Sequence, residues 1–237
     1  GKLSVIPCCA DMQHFDYSGI PPGQTKALRQ ELGIGPNTFV LGYSGSVGTW
    51  YMMAEMLDFF KAILAQKTDA LFLVLTRDNA EEIRTQARQK DIPEQNLHIR
   101  PVTRAEMPVW LSVFDASVFF ILPTFSKQAS SPPKQSELMG MGIPVVCNAH
   151  VGDTESIVTE SGGGVVMAGF GPEATSAAVE YCLTRLPDRP RIRQYGMEYY
   201  GLEHGIEKYR SIYALVLEGK ANKMMAMKNG TKGTLKR

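Results

Sequence analysis

Six short strand-like runs, most of them apolar, punctuate this chain, at 38–44, 71–76, 97–100, 116–122, 144–147 and 164–167. They are too short for helices of their own, and several are apolar almost throughout, as expected of strands buried on both faces. Between them the spacing turns helical at 50–66, 79–90, 103–113, 132–141 and 153–160. Thr103 followed by Glu106 has the form of a capping box. Strand and helix in regular succession predict an α/β protein, a mainly parallel, Rossmann-like sheet with helices on both faces and right-handed crossovers. The last third is helical, with amphipathic spacing at 172–185, 188–200 and 205–217. From 219 the chain is rich in Lys, Met and Gly and has no period, so 219–237 is expected to be a flexible tail. At the other end, a strand-like piece at 3–6 runs into a loop. Residues 1–18 read as the remnant of a linker, ahead of one globular unit over 19–218.

Composition narrows the function classes. The chain has 237 residues, 44% of them hydrophobic and 21% charged, with a formal net charge of +1. That describes an ordinary globular protein and argues against a general electrostatic nucleic-acid binder, while leaving room for a local patch that holds a small anion. No apolar run reaches the length of a membrane span. The opening Gly1-Lys2-Leu3-Ser4 has no signal-peptide pattern. Cys8, Cys9, Cys147 and Cys182 have no metal-ligand spacing, and Cys147 and Cys182 fall in apolar patterns that predict burial in a reducing compartment.

The densest chemistry lies in Ser130-Ser131-Pro132-Pro133-Lys134-Gln135-Ser136-Glu137, which runs on to Val146. Ser131 suits a helix N-cap and Pro132 the first helical position. Lys134 then falls in the first turn, where a cation opposes the helix dipole unless an anion shares the site. Glu137, one turn on, can accept hydrogen bonds from a diol. An ordinary surface pair at i, i+3 would have the same spacing and contribute about 0.2–0.5 kcal/mol. Position favours function, because helix N-termini beside the carboxyl ends of parallel strands line the ligand crevice of such sheets. His14, His98, His150 and His204 form no catalytic set by spacing; His150 follows a strand and lies nearest the expected crevice. Asp115 and Asp153 read as caps rather than metal ligands. Met52, Met53, Met56, Phe59 and Phe60 recur at helical spacing and read as core.

Five segments in order resemble the C-terminal, donor-binding domain of GT-B glycosyltransferases, specifically the retaining family 4 (group 1) enzymes. Val5-Ile6-Pro7-Cys8-Cys9-Ala10-Asp11 through Phe15 resembles that family's interdomain segment. Leu41-Gly42-Tyr43-Ser44-Gly45-Ser46 resembles its first strand and phosphate-side loop, and Val102-Thr103-Arg104-Ala105-Glu106-Met107 its base-side turn. Ser131-Pro132-Pro133-Lys134 through Val146 resembles its donor motif. Gly152-Asp153-Thr154-Glu155-Ser156-Ile157-Val158 with Gly162-Gly163-Gly164 resembles its closing segment.

The resemblance implies one half of a GT-B fold, and the transfer of a sugar from a nucleotide diphosphate sugar of UDP or GDP type to a hydroxyl acceptor, in surface polysaccharide or glycolipid synthesis. Glu137 would hold the ribose hydroxyls and Lys134 the diphosphate. Ser131 and the amides beyond the prolines would add donors. Ser44, Gly45 and Ser46 would admit the phosphates, and Val102 would flank the base or pack as core. The acceptor side, with its catalytic residues, would come from an N-terminal GT-B domain, without which this chain would be inactive. No obligatory metal or other cofactor is implied, and no nucleic-acid partner. The setting would be the cytoplasm, with peripheral membrane contact through the longer protein.

Two departures stand out. The first glutamate of the family's usual pair is replaced by Ala129, and the loop 45–50 carries neither Arg nor Lys. Arg77 and Lys127 are candidate substitutes for the missing cations. Arg77 equally suits an ion pair with Asp78 or Glu81, and Lys127 a solvated loop. A nucleotide-sugar epimerase of the same architecture and a non-catalytic nucleotide-binding or interaction module are the competing functions.

Overall fold

The computed structural model describes residues 4–230, with side chains as far as Glu218. In chain order the elements are α1 (Pro22–Glu31), β1 (Val40–Ser44), α2 (Met53–Leu64), β2 (Leu71–Leu75), α3 (Ala80–Gln89), β3 (Leu97–Arg100), α4 (Met107–Leu111), β4 (Ala116–Phe119), α5 (Pro133–Gly140), β5 (Val145–Asn148), α6 (Thr154–Ser161), β6 (Gly164–Met167), α7 (Pro172–Thr184), α8 (Arg189–Tyr200) and α9 (Leu202–Gly230). Short 3-10 turns occur at Tyr17–Gly19, Glu94–Asn96 and Phe125–Ala129.

The six strands form one sheet in the order β3-β2-β1-β4-β5-β6. Each neighbouring pair is parallel. Every residue of β1, β2, β4 and β5 is buried, which is why these strands read as unbroken apolar runs. α2 packs on α3 and α7, while α5 and α6 pack on α8. Right-handed crossovers place those two groups on opposite faces, because the chain runs outward from β1 in one direction and from β4 in the other. The reversal between β1 and β4 is the topological switch point, and the crevice lies outside the carboxyl ends of these two strands.

Local structure departs from the sequence pattern where tertiary contacts outbid it. Residues 50–52, within the expected helix 50–66, pair instead with the end of β4. Met52 N–H donates to Phe120 C=O at 2.9 Å, and Leu122 N–H to Trp50 C=O at 2.9 Å. The expected strand 116–122 therefore ends at Phe119, and its last residues serve this bridge. The capping box forms, Thr103 N–H donating to Glu106 Oε2 at 3.0 Å, but the helix shortens to Met107–Leu111. Ser131 is not the N-cap of α5: Pro132 holds that position, Pro133 is the first helical residue, and no side chain caps the helix.

Residues 4–6 form no strand. The stretch expected to be a linker remnant is pinned to the body. Phe15 is fully buried. Arg193 of α8 donates to the carbonyls of Phe15, Met12 and Gly140 and pairs with Asp16 at 2.8 Å. The helix α1 has no apolar stripe to announce it, since Leu28 is its one buried residue. Where a flexible tail was expected from 219, α9 continues to Gly230; residues 231–237 lie outside the described residues. Met53, Met56, Phe59 and Phe60 are core, as their spacing implies, and Cys147 and Cys182 are buried free thiols. Among the described residues no helix is long and apolar enough to cross a membrane.

Candidate functional site

The carboxyl end of β1 and the first turn of α5 meet at the switch point. Lys134 reaches from α5 toward β1 and is 7% exposed. Its Nζ lies 4.0 Å from the centre of the Tyr43 ring and 3.6 Å from that of Tyr51. Among the described residues this ammonium has no hydrogen-bond partner. Burial pushes its pKa well below the usual lysine range, against a smaller opposing pull from Glu137. Two aromatic faces stabilise a cation but accept no hydrogen bonds of ordinary strength. The site therefore holds donor capacity that only an incoming acceptor can satisfy.

The loop after β1 is shaped around this amine. Gly45 has φ +122°, and a Cβ on it would stand 3.0 Å from Lys134 Nζ. Only glycine combines that backbone angle with so close a passage over the side chain. The loop is braced from both sides: the Tyr43 hydroxyl donates to Ser46 C=O, and Val47 N–H donates to Asp78 Oδ2 at 2.6 Å. The expectation that the backbone at Ser44, Gly45 and Ser46 faces phosphate is met unevenly. Ser44 is buried in β1, and Gly45 N–H donates to Leu75 C=O at 3.0 Å. That leaves the exposed Ser46 as the loop's open contributor.

Glu137 lies one turn further along α5 and is mostly buried. Its Oε1 pairs with Arg104 Nη1 at 3.3 Å. Burial raises the Glu137 pKa, and the charges of Arg104, Lys134 and His14 work against that rise. Arg104 also stands over the Phe15 ring at 5.4 Å, and its backbone carbonyl lies 2.9 Å from His14 Nε2. The pair sits at the crevice, with one carboxylate oxygen committed to Arg104.

The other expected site residues divide. Ser131 Oγ accepts from Cys8 N–H at 3.3 Å, and its hydroxyl lowers the pKa of the nearby Asp153 carboxyl against a larger rise from burial. Val102 is 7% exposed and packs in the core. Arg77 is exposed and makes no ion pair among the described residues; Asp78 instead holds the β1 loop, Glu81 pairs with Arg88, and the Arg77 charge makes a small contribution to lowering the Glu106 pKa. Lys127 Nζ lies over the Trp50 ring at 4.6 Å. His150 is exposed at the end of β5 in a left-handed conformation, φ 66°. Asp115 pins the start of β1 by accepting from Val40 N–H at 2.8 Å. Asp153 precedes α6 without capping it and bonds Tyr199 at 3.4 Å.

Sequence reasoning missed Arg104, Tyr43, Tyr51 and Asp78. Arg104 stands inside the base-side turn quoted above, and that was the available signal. The tyrosines look like ordinary apolar-run residues until β1 and the 50–52 bridge bring them over one amine.

A parallel sheet in 3-2-1-4-5-6 order, with a buried lysine at the switch point and a long helical C-terminal region, is the C-terminal, Rossmann-like half of the GT-B glycosyltransferase fold. Among solved structures the chain is similar to a glycosyltransferase from Rickettsia africae (TM-score 0.74, 13% identity, 91% of this chain and 57% of that one). It is also similar to HepE from Anabaena in complex with UDP-glucose (0.67, 17%, 89% and 57%) and to WaaG, a glycosyltransferase involved in lipopolysaccharide biosynthesis (0.62, 16%, 84% and 50%). At these identities the likeness is one of fold, and the chain spans little more than half the length of those proteins. Comparison of the sequence with protein-family models and with curated proteins returns no match.

Proposed function

We propose that this chain is the donor-binding half of a retaining glycosyltransferase of family 4 type. It takes a nucleotide diphosphate sugar of UDP or GDP type and delivers the sugar to a hydroxyl acceptor held by an N-terminal GT-B domain. The single observation that carries this reading is the buried Lys134 ammonium, unpartnered beneath Gly45, one helical turn from Glu137. Lys134 meets the diphosphate at the N-terminal end of α5, the end of the helix dipole that favours an anion. Charge that develops on the departing diphosphate is stabilised by the Lys134 ammonium, which takes up its proton as the donor binds and which the fold already holds in position. Glu137 takes the ribose hydroxyls, with Arg104 fixing its orientation. No obligatory metal is assigned to this step. The HepE complex with UDP-glucose and the pathway named for WaaG support a nucleotide-sugar donor and a surface polysaccharide or glycolipid product. The location is cytoplasmic, with peripheral contact at the inner membrane face.

Calorimetric titration with UDP, GDP and ADP tests the reading: one diphosphate should bind, and binding of none by the folded chain would reject it. For the ligand that binds, the 2′-deoxy analogue should bind more weakly. Charge-assisted hydrogen bonds of about 1.5–3 kcal/mol make that a loss of about tenfold or more. Glu137→Ala should erase the difference between the two ligands, and a difference that persists would remove Glu137 from the ribose site.

The pH dependence has a definite sign. Diphosphate needs the ammonium form of Lys134, and burial makes that form scarce in the free chain at high pH. Affinity is expected to fall as pH rises through the depressed lysine value, and binding should take up a proton. Equal apparent heats in two buffers of different ionisation enthalpy would contradict this.

A further inference from the structure

Beside the Lys134 pocket lies a cavity of about 210 Å³, walled among others by Trp50, Tyr51, Lys127, Ser130, Ser131 and Pro132. Tyr51 belongs to both places: its ring covers Lys134 Nζ at 3.6 Å and also walls the cavity. A group attached to a diphosphate at Lys134 therefore has this cavity as its immediate neighbour.

The lining has an unusual polarity for a carbohydrate. The hydroxyls of a neutral sugar donate as well as accept, and donors need acceptors when they leave water. No carboxylate or carboxamide side chain lines this cavity. The position that the family resemblance would give to a glutamate is Ala129. The Asp153 carboxylate does not line it: it is half-buried beside the cavity wall, where Oδ2 accepts from Tyr199 at 3.4 Å and Oδ1 has no partner among the described residues. What the cavity does offer is the ammonium of Lys127, held 4.6 Å over Trp50 and in no ion pair among the described residues. Trp50, 43% exposed, adds aromatic surface to the wall. A cation without a counter-ion, an aromatic wall and no competing acid make a complement to a ring with one apolar face and one anionic substituent.

We propose that the sugar on the donor is acidic, a hexuronate whose carboxylate pairs with Lys127 while its ring rests on Trp50. The proposal rests on the donor-site reading above and adds the substrate class to it.

The test is a set of titrations on the whole chain. Bare UDP, GDP and ADP come first. UDP-glucuronate is then compared with UDP-glucose, and GDP-mannuronate with GDP-mannose. The uronate should bind about tenfold tighter than its neutral partner, the scale of one charged contact. Lys127→Met should remove that preference and leave affinity for the bare diphosphate unchanged, with the melting temperature recorded to show that the variant is folded. Equal affinity for uronate and neutral sugar, with the bare diphosphate bound, would overturn the acidic-sugar assignment and leave the donor site standing. A Lys127→Met variant that loses bare diphosphate to the same degree would make Lys127 a phosphate contact, and the assignment would again fall. Binding of no diphosphate at all would remove the donor site and this subsite together.

Discussion

Lys134→Met is expected to weaken diphosphate binding by about ten- to a hundredfold while raising the melting temperature of the free chain. The first effect follows from removing a charge-assisted contact of about 1.5–3 kcal/mol. The second follows from what the amine costs in the unliganded fold. Lys134 is almost fully buried and its Nζ has no partner, a situation that costs about 1–3 kcal/mol. Methionine fills a similar unbranched volume and sets sulfur against the Tyr43 and Tyr51 rings, a favourable contact. For a chain of this size each kcal/mol moves the melting point by about 2–4 °C.

Linkage gives the effect a pH signature. Between the depressed folded value of Lys134 and the usual lysine range, the unfolded chain binds more protons than the folded one. The contribution of this residue to stability therefore rises with pH across that window and is lost as pH falls. The gap between variant and parent should be widest at and below the depressed lysine value and close toward the alkaline end. Thermal melts at several pH values measure it. A variant that melts lower than the parent, or binds diphosphate as well, would show that the amine is structural.

Gly152→Ala is expected to destabilise the fold by about 2–4 kcal/mol, in the range of backbone-strain and overpacking substitutions, and to weaken diphosphate binding with it. Gly152 has φ +48°, and a Cβ there would lie 1.6 Å from the Ser130 carbonyl oxygen and 2.7 Å from its carbon. These are backbone atoms, so no side-chain rotation relieves the clash. The main chain at Ser130 has to move, and it leads within three residues to the start of α5 and then to Lys134. Gly169→Ala is the control: nothing stands within 4 Å of its Cβ position, and a change within about 0.5 kcal/mol is expected. Denaturant melts of both variants, with a diphosphate titration of each, read the two effects. Stability and binding of Gly152→Ala indistinguishable from those of Gly169→Ala would mean that the Ser130 loop is loose and does not position α5.

The four inner strands were legible because burial on both faces leaves little room for polar residues. The edge strands β3 and β6 are only partly buried, and the six runs map onto the six strands with shifts of a few residues at most. The helices with an apolar stripe, such as α2 and α7, were legible for the same reason. α1 was not, since a helix that buries only Leu28 leaves no period to read. The helix over 103–113 was read too long because a capping box marks a turn without fixing how far a helix runs beyond it.

At the site the division is similar. Lys134 and Glu137 belong to one helix, so their spacing along the sequence already states their geometry. Arg104, Tyr43, Tyr51 and Asp78 come from separate segments, and nothing local announces that they converge. Ser131 shows the reverse case. Its sequence position suits a cap, yet its Oγ accepts instead from Cys8 N–H, a group that only the folded chain brings near it.

The sequence by itself therefore determined the layer architecture, the parallel sheet, and the presence of a cation and a carboxylate one turn apart at a crevice-facing helix start. Periodicity and local spacing carry that information within single segments. Tertiary structure alone decided that the cation is caged by two aromatic rings without an acceptor, that the carboxylate is held by an arginine, and that the neighbouring cavity presents an ammonium and no acid. Each of these depends on side chains tens of residues apart in the chain, brought together by strand order, and it is that juxtaposition in a desolvated crevice that gives the charges their strength.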